Sequence, residues 1–251
     1  MRFHLVDAFT DRPFAGNPAG VVVLDEPADA RWMQDVAAEM KHSETAFVVT
    51  TRDPKPLRWF TPAAEVDLCG HATIATTHVL GGRQRYATRS GLLACEARED
   101  GWIELDFPAD PPCETDDDLR PVLPGTTVTF TGRGRENLFA VLESADAVRQ
   151  AQPDLEALRA LGKGRLVITA ANQATDFVSR FFGPGVGVDE DPVTGSAHCT
   201  LAPYWAGRTG RTRLTGEQVS ARGGIVETEL DGDRVLLRGQ AVTIVSGELH
   251  V

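Results

Sequence analysis

One order of predicted elements occurs twice in this chain, and that repetition limits the fold more than any single motif. In the first half, residues 3–8 and 20–24 are rich in Val, Leu and Phe, are separated by a Pro/Gly/Asn loop, and read as two strands. Residues 28–41 follow as a helix, because Trp32, Met33, Val36, Ala37 and Met40 recur at three- and four-residue spacing and form one apolar stripe. Strands are expected at 45–50 and 57–61, a loop over 62–69, and a short apolar helix over 72–80 that Gly81-Gly82 stops. Three more strands close the half; in the last, over 102–107, Ile103, Leu105 and Phe107 alternate with Glu104 and Asp106.

The second half repeats this series. Strands are expected near 126–130 and 137–142, a helix near 144–161, strands at 165–170 and 176–182, a Gly-rich loop over 183–195, and a helix over about 197–206. Strands near 217–221, 224–230, 233–238 and 241–245 end the chain, the middle pair joined by the tight turn Asp231-Gly232-Asp233. Between the halves, residues 108–125 carry five prolines and the acidic run Asp116-Asp117-Asp118, a composition that favours neither helix nor central strand and reads as a linker. The expected fold class is α+β: two pseudo-symmetric half-domains, 1–110 and 111–251, each with strands wrapped around a central helix, the last strand returning to the first half.

Composition excludes several classes of function. With 251 residues, 42% of them hydrophobic and 24% charged, the chain has the profile of a globular protein. A formal net charge of -11 without any Lys/Arg run argues against nucleic acid as a partner. No apolar run approaches the roughly 20 residues of a membrane-spanning helix, and the N-terminus carries no secretory pattern, so a cytoplasmic protein without a membrane partner is expected. Cys69, Cys95, Cys113 and Cys199 form no C-x-x-C pair. His71 and His198, even with Asp191, lack the spacing of a metal-binding helix, and no metal or cofactor is expected.

The chemistry-bearing residues sit at corresponding places in the two halves. Glu65-Val66-Asp67-Leu68-Cys69-Gly70-His71-Ala72-Thr73 precedes and opens one helix; Asp189-Glu190-Asp191-Pro192-Val193-Thr194-Gly195-Ser196-Ala197-His198 does so for the other. A Gly at one helix start is ordinarily a turn, and an Asp or Ser there a cap. Two matched helix starts, each with unpaired amides and polar side chains, are suited to bind a carboxylate or stabilise an enolate in a cleft.

Four ordered segments, Gly16-Asn17-Pro18-Ala19-Gly20-Val21-Val22, Ser43-Glu44-Thr45-Ala46-Phe47, Cys69-Gly70-His71-Ala72-Thr73 and Glu190-Asp191-Pro192-Val193-Thr194-Gly195-Ser196-Ala197-His198, resemble the successive signatures of the phenazine-biosynthesis (PhzF-like) family. The family is similar in fold to diaminopimelate epimerase and the proline racemases. The resemblance implies a cofactor-independent isomerase, commonly a homodimer, that moves a proton on a small carboxylate-bearing substrate such as a dihydro-hydroxyanthranilate. It assigns the general acid/base to Glu44, supporting catalytic roles to His71, Asp191 and Ser196, and substrate-binding positions to Gly70 and Gly195, with Cys69 and Thr194 beside them.

Two other readings stay open. The related racemases use one thiol per half; here Cys69 stands where the first would be, while the second segment offers Val193 and Thr194, with Cys199 beyond it. An amino- or hydroxy-acid epimerase using Cys69 is therefore the alternative enzyme. A catalytically silent small-carboxylate-binding protein is the alternative outside enzymes. A Ser-His-Asp hydrolase is disfavoured, since Thr194-Gly195-Ser196-Ala197-His198 is not a G-x-S-x-G elbow.

Overall fold

The structure, a computed structural model, describes residues 1–162 and 164–251. Its elements in chain order begin with β1 (Arg2–Ala8), β2 (Asn17–Leu24), α1 (Ala30–Met40), β3 (Glu44–Val49), β4 (Lys55–Phe60), β5 (Glu65–Val66), α2 (Gly70–Leu80), β6 (Arg83–Thr88), β7 (Gly91–Ala97) and β8 (Ile103–Pro108). They continue with β9 (Cys113–Glu114), β10 (Val128–Arg133), β11 (Leu138–Leu142), α3 (Ala145–Gln150), α4 (Leu155–Ala160), β12 (Leu166–Ala171), β13 (Phe177–Gly183) and β14 (Val188–Asp191). The last are α5 (Gly195–Thr209), β15 (Arg213–Gln218), β16 (Gly224–Asp231), β17 (Arg234–Gly239) and β18 (Ala241–Glu248). One compact unit is Met1–Phe107 with Leu237–Val251, and the other is Pro108–Leu236.

In the first unit β18, β1 and β2 pair antiparallel, and β2 runs parallel to β3 across α1. β3 and β4 pair antiparallel, β4 runs parallel to β6 across α2, and β6, β7 and β8 continue antiparallel. Successive residues of a strand face opposite ways. Val22, Leu24, Phe47 and Val49 therefore join Met33, Val36 and Ala37 of α1 in one core, while α2 packs on β1, β2, β3, β7 and β18. α2 is buried on all sides over Gly70–Thr77. Its three threonines satisfy their hydroxyls within the helix, Thr73 on Cys69 O, Thr76 on Ala72 O and Thr77 on Thr73 O.

The second unit has the same series. β9, β10 and β11 pair antiparallel, β11 runs parallel to β12 across α3 and α4, β12 and β13 pair antiparallel, and β13 runs parallel to β15 across α5. β15 and β16 complete it. Leu138, Ala140 and Leu142 of β11 face a core with Val148 and Leu158 of the outer helices. Phe139 and Val141 face the other, with Ala197, Leu201 and Trp205 of α5. The sequence-predicted α+β duplication is the observed fold class.

Several expectations differ from the structure: the strand expected near 217–221 is β15 at Arg213–Gln218, and the loops expected over 62–69 and 183–195 contain β5 and β14. The helix read over 144–161 is two helices, because Pro153 lacks an amide hydrogen and Asp154 caps a new start by accepting from Glu156 N and Ala157 N. The segment 108–125 is no free linker: it buries Leu119, Val122 and Leu123 in the core of the second unit. Its anchor follows from Pro203 inside α5. That proline has no N–H to give the carbonyl of Cys199, four residues earlier, and Asp110 N donates to it instead at 2.9 Å. The Asp110 carboxylate also accepts from Thr200 Oγ1 and Arg135 N.

Candidate active site

The period-two geometry of β3 puts Glu44 on the same face as Ala46 and Val48, opposite Phe47 and Val49. Phe47 and Val49 pack on α1, so Glu44 is directed to the other side of the sheet, where α2 begins. There its Oε2 lies 3.3 Å from His71 Nε2, with the Glu44 side chain 17% exposed. The other ring nitrogen, Nδ1, is 3.5 Å from Cys69 Sγ. His71 is 4% exposed, and burial lowers its pKa to about 3, so the imidazole is neutral at any physiological pH. Nε2 thus faces the Glu44 carboxylate at close range without making a hydrogen bond, while Nδ1 shares one with the Cys69 thiol.

Glu44, Cys69 and His71 each offer a donor atom, all within 4.8 Å of one another, and carboxylate, thiol and imidazole are donor types that zinc takes. The carboxylate and the thiol flank different ring nitrogens.

In the second unit Asp191 ends β14 and Thr194 is the residue before α5. Thr194 Oγ1 donates to Asp191 Oδ2 at 2.5 Å. Gln218, fully buried at the end of β15, donates from Nε2 to Asp191 O and Thr194 Oγ1 and accepts from Thr194 N at Oε1. Ser220 Oγ donates to Pro192 O, and His198 Nδ1 donates to Thr194 O at 2.8 Å. His198 is fully buried and its pKa falls to about 4 through desolvation, so it too is neutral. Gly195 is buried and Ser196 is exposed in the first turn of α5.

The two helix starts match down to their supports. Arg58 of β4 clamps Glu65 and lies over the Phe60 ring; Arg180 of β13 clamps Glu190 and lies over the Phe182 ring. Each clamped glutamate stands five residues before the first glycine of its helix. Thr73 and His198 both bond back to the carbonyl of the residue preceding the helix. The outer helices differ: Asp29, Ser144 and Asp154 cap α1, α3 and α4 by side-chain hydrogen bonds, whereas no side chain caps α2 or α5, and neither has an acid in its first turn. A helix start left uncapped retains amide donors and a partial positive charge for an anion.

Residues 6–247 match the family described as phenazine biosynthesis-like protein. The chain belongs to this family. An uncharacterized isomerase of Pseudomonas aeruginosa is 47% identical to this phenazine biosynthesis-like chain over 260 residues, covering 100% of it and 99% of the relative. A crystal structure of a phenazine biosynthesis protein PhzF family member from Enterococcus faecalis shares 39% identity and a TM-score of 0.93, covering 100% of this chain and 99% of that one. A probable proline racemase from Agrobacterium radiobacter, 10% identical with a TM-score of 0.67 over 100% of this chain and 93% of its own, shares the fold. This family member is an isomerase-class enzyme. No helix among its described residues is long and apolar enough to cross a membrane.

Of the residues singled out from the sequence, the first unit brings together Glu44, Cys69, Gly70 and His71, and the second brings together Asp191, Thr194 and Gly195, with Ser196 at the solvent-facing edge of its helix start. Sequence reasoning missed Gln218 and Ser220, which hold the 191–194 segment, and gave His198 no role. Only a buried Gln closing a strand marks the first of these, and that is not a pattern.

Proposed function

We propose that the protein isomerises a small carboxylate-bearing substrate without a cofactor, by moving one proton between two of its carbons. Glu44 acts as the general acid/base. The observation that carries this reading is a carboxylate within 3.3 Å of a buried, neutral imidazole, on the unit whose central helix begins uncapped beside it.

In the proposed cycle, Glu44 takes a proton from a substrate carbon, and the electrons of the broken C–H bond move into the conjugated system and its carboxylate as an enolate. Uncapped helix-start amides, at Gly70 in one unit and at Gly195 in the other, are the groups that the family resemblance assigns to a substrate carboxylate. Glu44 then returns the proton to a different carbon, restoring its own ionised form. Because His71 stays neutral, it does not compete with Glu44 for the proton. The same resemblance assigns Asp191 and Ser196 to orienting the substrate and gives Thr194 and Cys69 substrate-binding positions. Assembly as a homodimer rests on the family resemblance, and a cytoplasmic residence on the sequence pattern alone.

A thiol-based epimerase is the second reading, and the Cys69 Sγ contact with His71 Nδ1 at 3.5 Å favours it. Against it stands the counterpart of Cys69: Thr194 carries no thiol, and its hydroxyl hydrogen is committed to Asp191. Turnover of a panel of unsaturated, amino and hydroxy carboxylic acids by two variants separates the readings. Glu44→Gln is expected to lose activity by at least about a hundredfold while Cys69→Ser keeps most of it; the reverse result selects the epimerase. A silent binding protein predicts that carboxylates raise the melting temperature while no variant or wild type turns any of them over.

A further inference from the structure

We propose that Gln218 is a positioning residue for the reaction, fixing the direction of a two-bond relay, Gln218 Nε2–H to Thr194 Oγ1 and Thr194 Oγ1–H to Asp191 Oδ2. The inference rests on the reading that Asp191 supports the substrate.

The relay has one possible direction. Gln218 Oε1 accepts from Thr194 N at 2.9 Å, so its amide is oriented with Nε2 toward Asp191 O at 2.7 Å and Thr194 Oγ1 at 3.2 Å. A carbonyl oxygen only accepts, which excludes the flipped amide. With a Gln218 hydrogen on its lone pair, the Thr194 hydroxyl has its own hydrogen left to give, and Asp191 Oδ2 takes it at 2.5 Å.

All three residues are nearly or fully buried, Gln218 at 0% and Asp191 and Thr194 at 9% exposure, so water competes little for these bonds. The backbone around them is held as well. Ser220 Oγ donates to Pro192 O, and Gly223 N donates to Ser220 Oγ in turn. His198 fixes Thr194 O. The turn after β15 thus grips residues 191–194 at several polar groups, and the Asp191 carboxylate receives a directed donor on one oxygen. Replacing the glutamine removes the acceptor of Thr194 N and the donor to both the Asp191 carbonyl and the Thr194 hydroxyl.

The test uses the full chain labelled with ¹³C at aspartate carboxyl carbons, the Asp191 signal being assigned by its loss in Asp191→Asn. At one fixed pH, Thr194→Val, which keeps the shape and removes the hydroxyl, is expected to shift the Asp191 carboxyl signal, and Thr194→Ser to leave it in place. Gln218→Leu is expected to shift it in the same direction as Thr194→Val. If the signal stays put in Thr194→Val, the relay is overturned whether or not Gln218→Leu folds. Turnover is then compared on whichever carboxylate the wild type converts: kcat is expected to fall about tenfold or more in Thr194→Val with little change in KM, and to recover in Thr194→Ser. A carboxyl shift without any loss of kcat overturns the positioning role. Loss of all turnover in the wild type itself would count against the isomerase reading and leave the carboxyl-shift result standing.

Discussion

Gly16 shows how a motif residue serves the backbone before it serves any chemistry. It has φ +64, and a Cβ there would stand 2.1 Å from the Ala8 carbonyl oxygen. Gly20, in the same segment, lies where a Cβ would press on the Thr45 side chain at 3.1 Å, next to Glu44. Gly16→Ala is expected to cost about 2 kcal/mol or more in a urea titration, and an unchanged midpoint would mean that the turn relaxes. The buried histidines set a pH dependence. His71 and His198 titrate near 3 and 4 in the fold instead of 6.5, because burial disfavours the cation. Their contribution is complete above pH 6.5 and is lost on acidification, as the unfolded chain takes up protons that the folded chain refuses, at about 1.4 kcal/mol per pH unit for each. The urea midpoint is therefore expected to drop between pH 7 and pH 5, and less steeply in His198→Asn, whose amide can still donate to Thr194 O.

Among the elements, the central helices were the most legible and the outer connections the least. The apolar run after Cys69 and the Gly81-Gly82 stop define α2, and the DPVTGSAH segment opens α5. By contrast, 108–125 carries so many prolines that its buried Leu119, Val122 and Leu123 pass unnoticed, and its attachment to α5 depends on a carbonyl freed by Pro203, a pairing that no spacing predicts. The repeated Arg–Glu clamps also escaped the sequence, since Arg58 and Glu65 become neighbours only through the antiparallel pairing of β4 with β5. Glu65 sits below the ordinary carboxylate range, chiefly because it accepts from Arg58. With 15% and 33% side-chain exposure the pair is only partly screened. Arg58→Met is expected to destabilise the first unit by about 1 kcal/mol and to reduce carboxylate affinity, since β5 leads into α2. Thermal unfolding with and without a saturating carboxylate reads both effects, and equal losses in the two conditions would show that the clamp does not act on the site.

At the scale of the whole molecule, the duplication gives two central helices with uncapped starts but different chemistry beside each. The first unit sets the Glu44 carboxylate near a neutral imidazole and a thiol. The second sets a carboxylate within a locked hydroxyl–amide relay. The residue types were readable as family signatures in the sequence. Which groups share a hydrogen, and in which direction, was not, because it depends on strand ends and on Gln218, 24 residues beyond Thr194. If Glu44 moves a proton to and from carbon, as proposed, a carbon-bound hydrogen of the substrate exchanges with solvent. The protein is incubated in heavy water with a dihydro-hydroxyanthranilate and small unsaturated, amino and hydroxy carboxylic acids, and deuterium on carbon is followed by NMR. Incorporation by the wild type into at least one of them, and its loss in Glu44→Gln, is the expected result; incorporation that survives Glu44→Gln would put the proton transfer on another group.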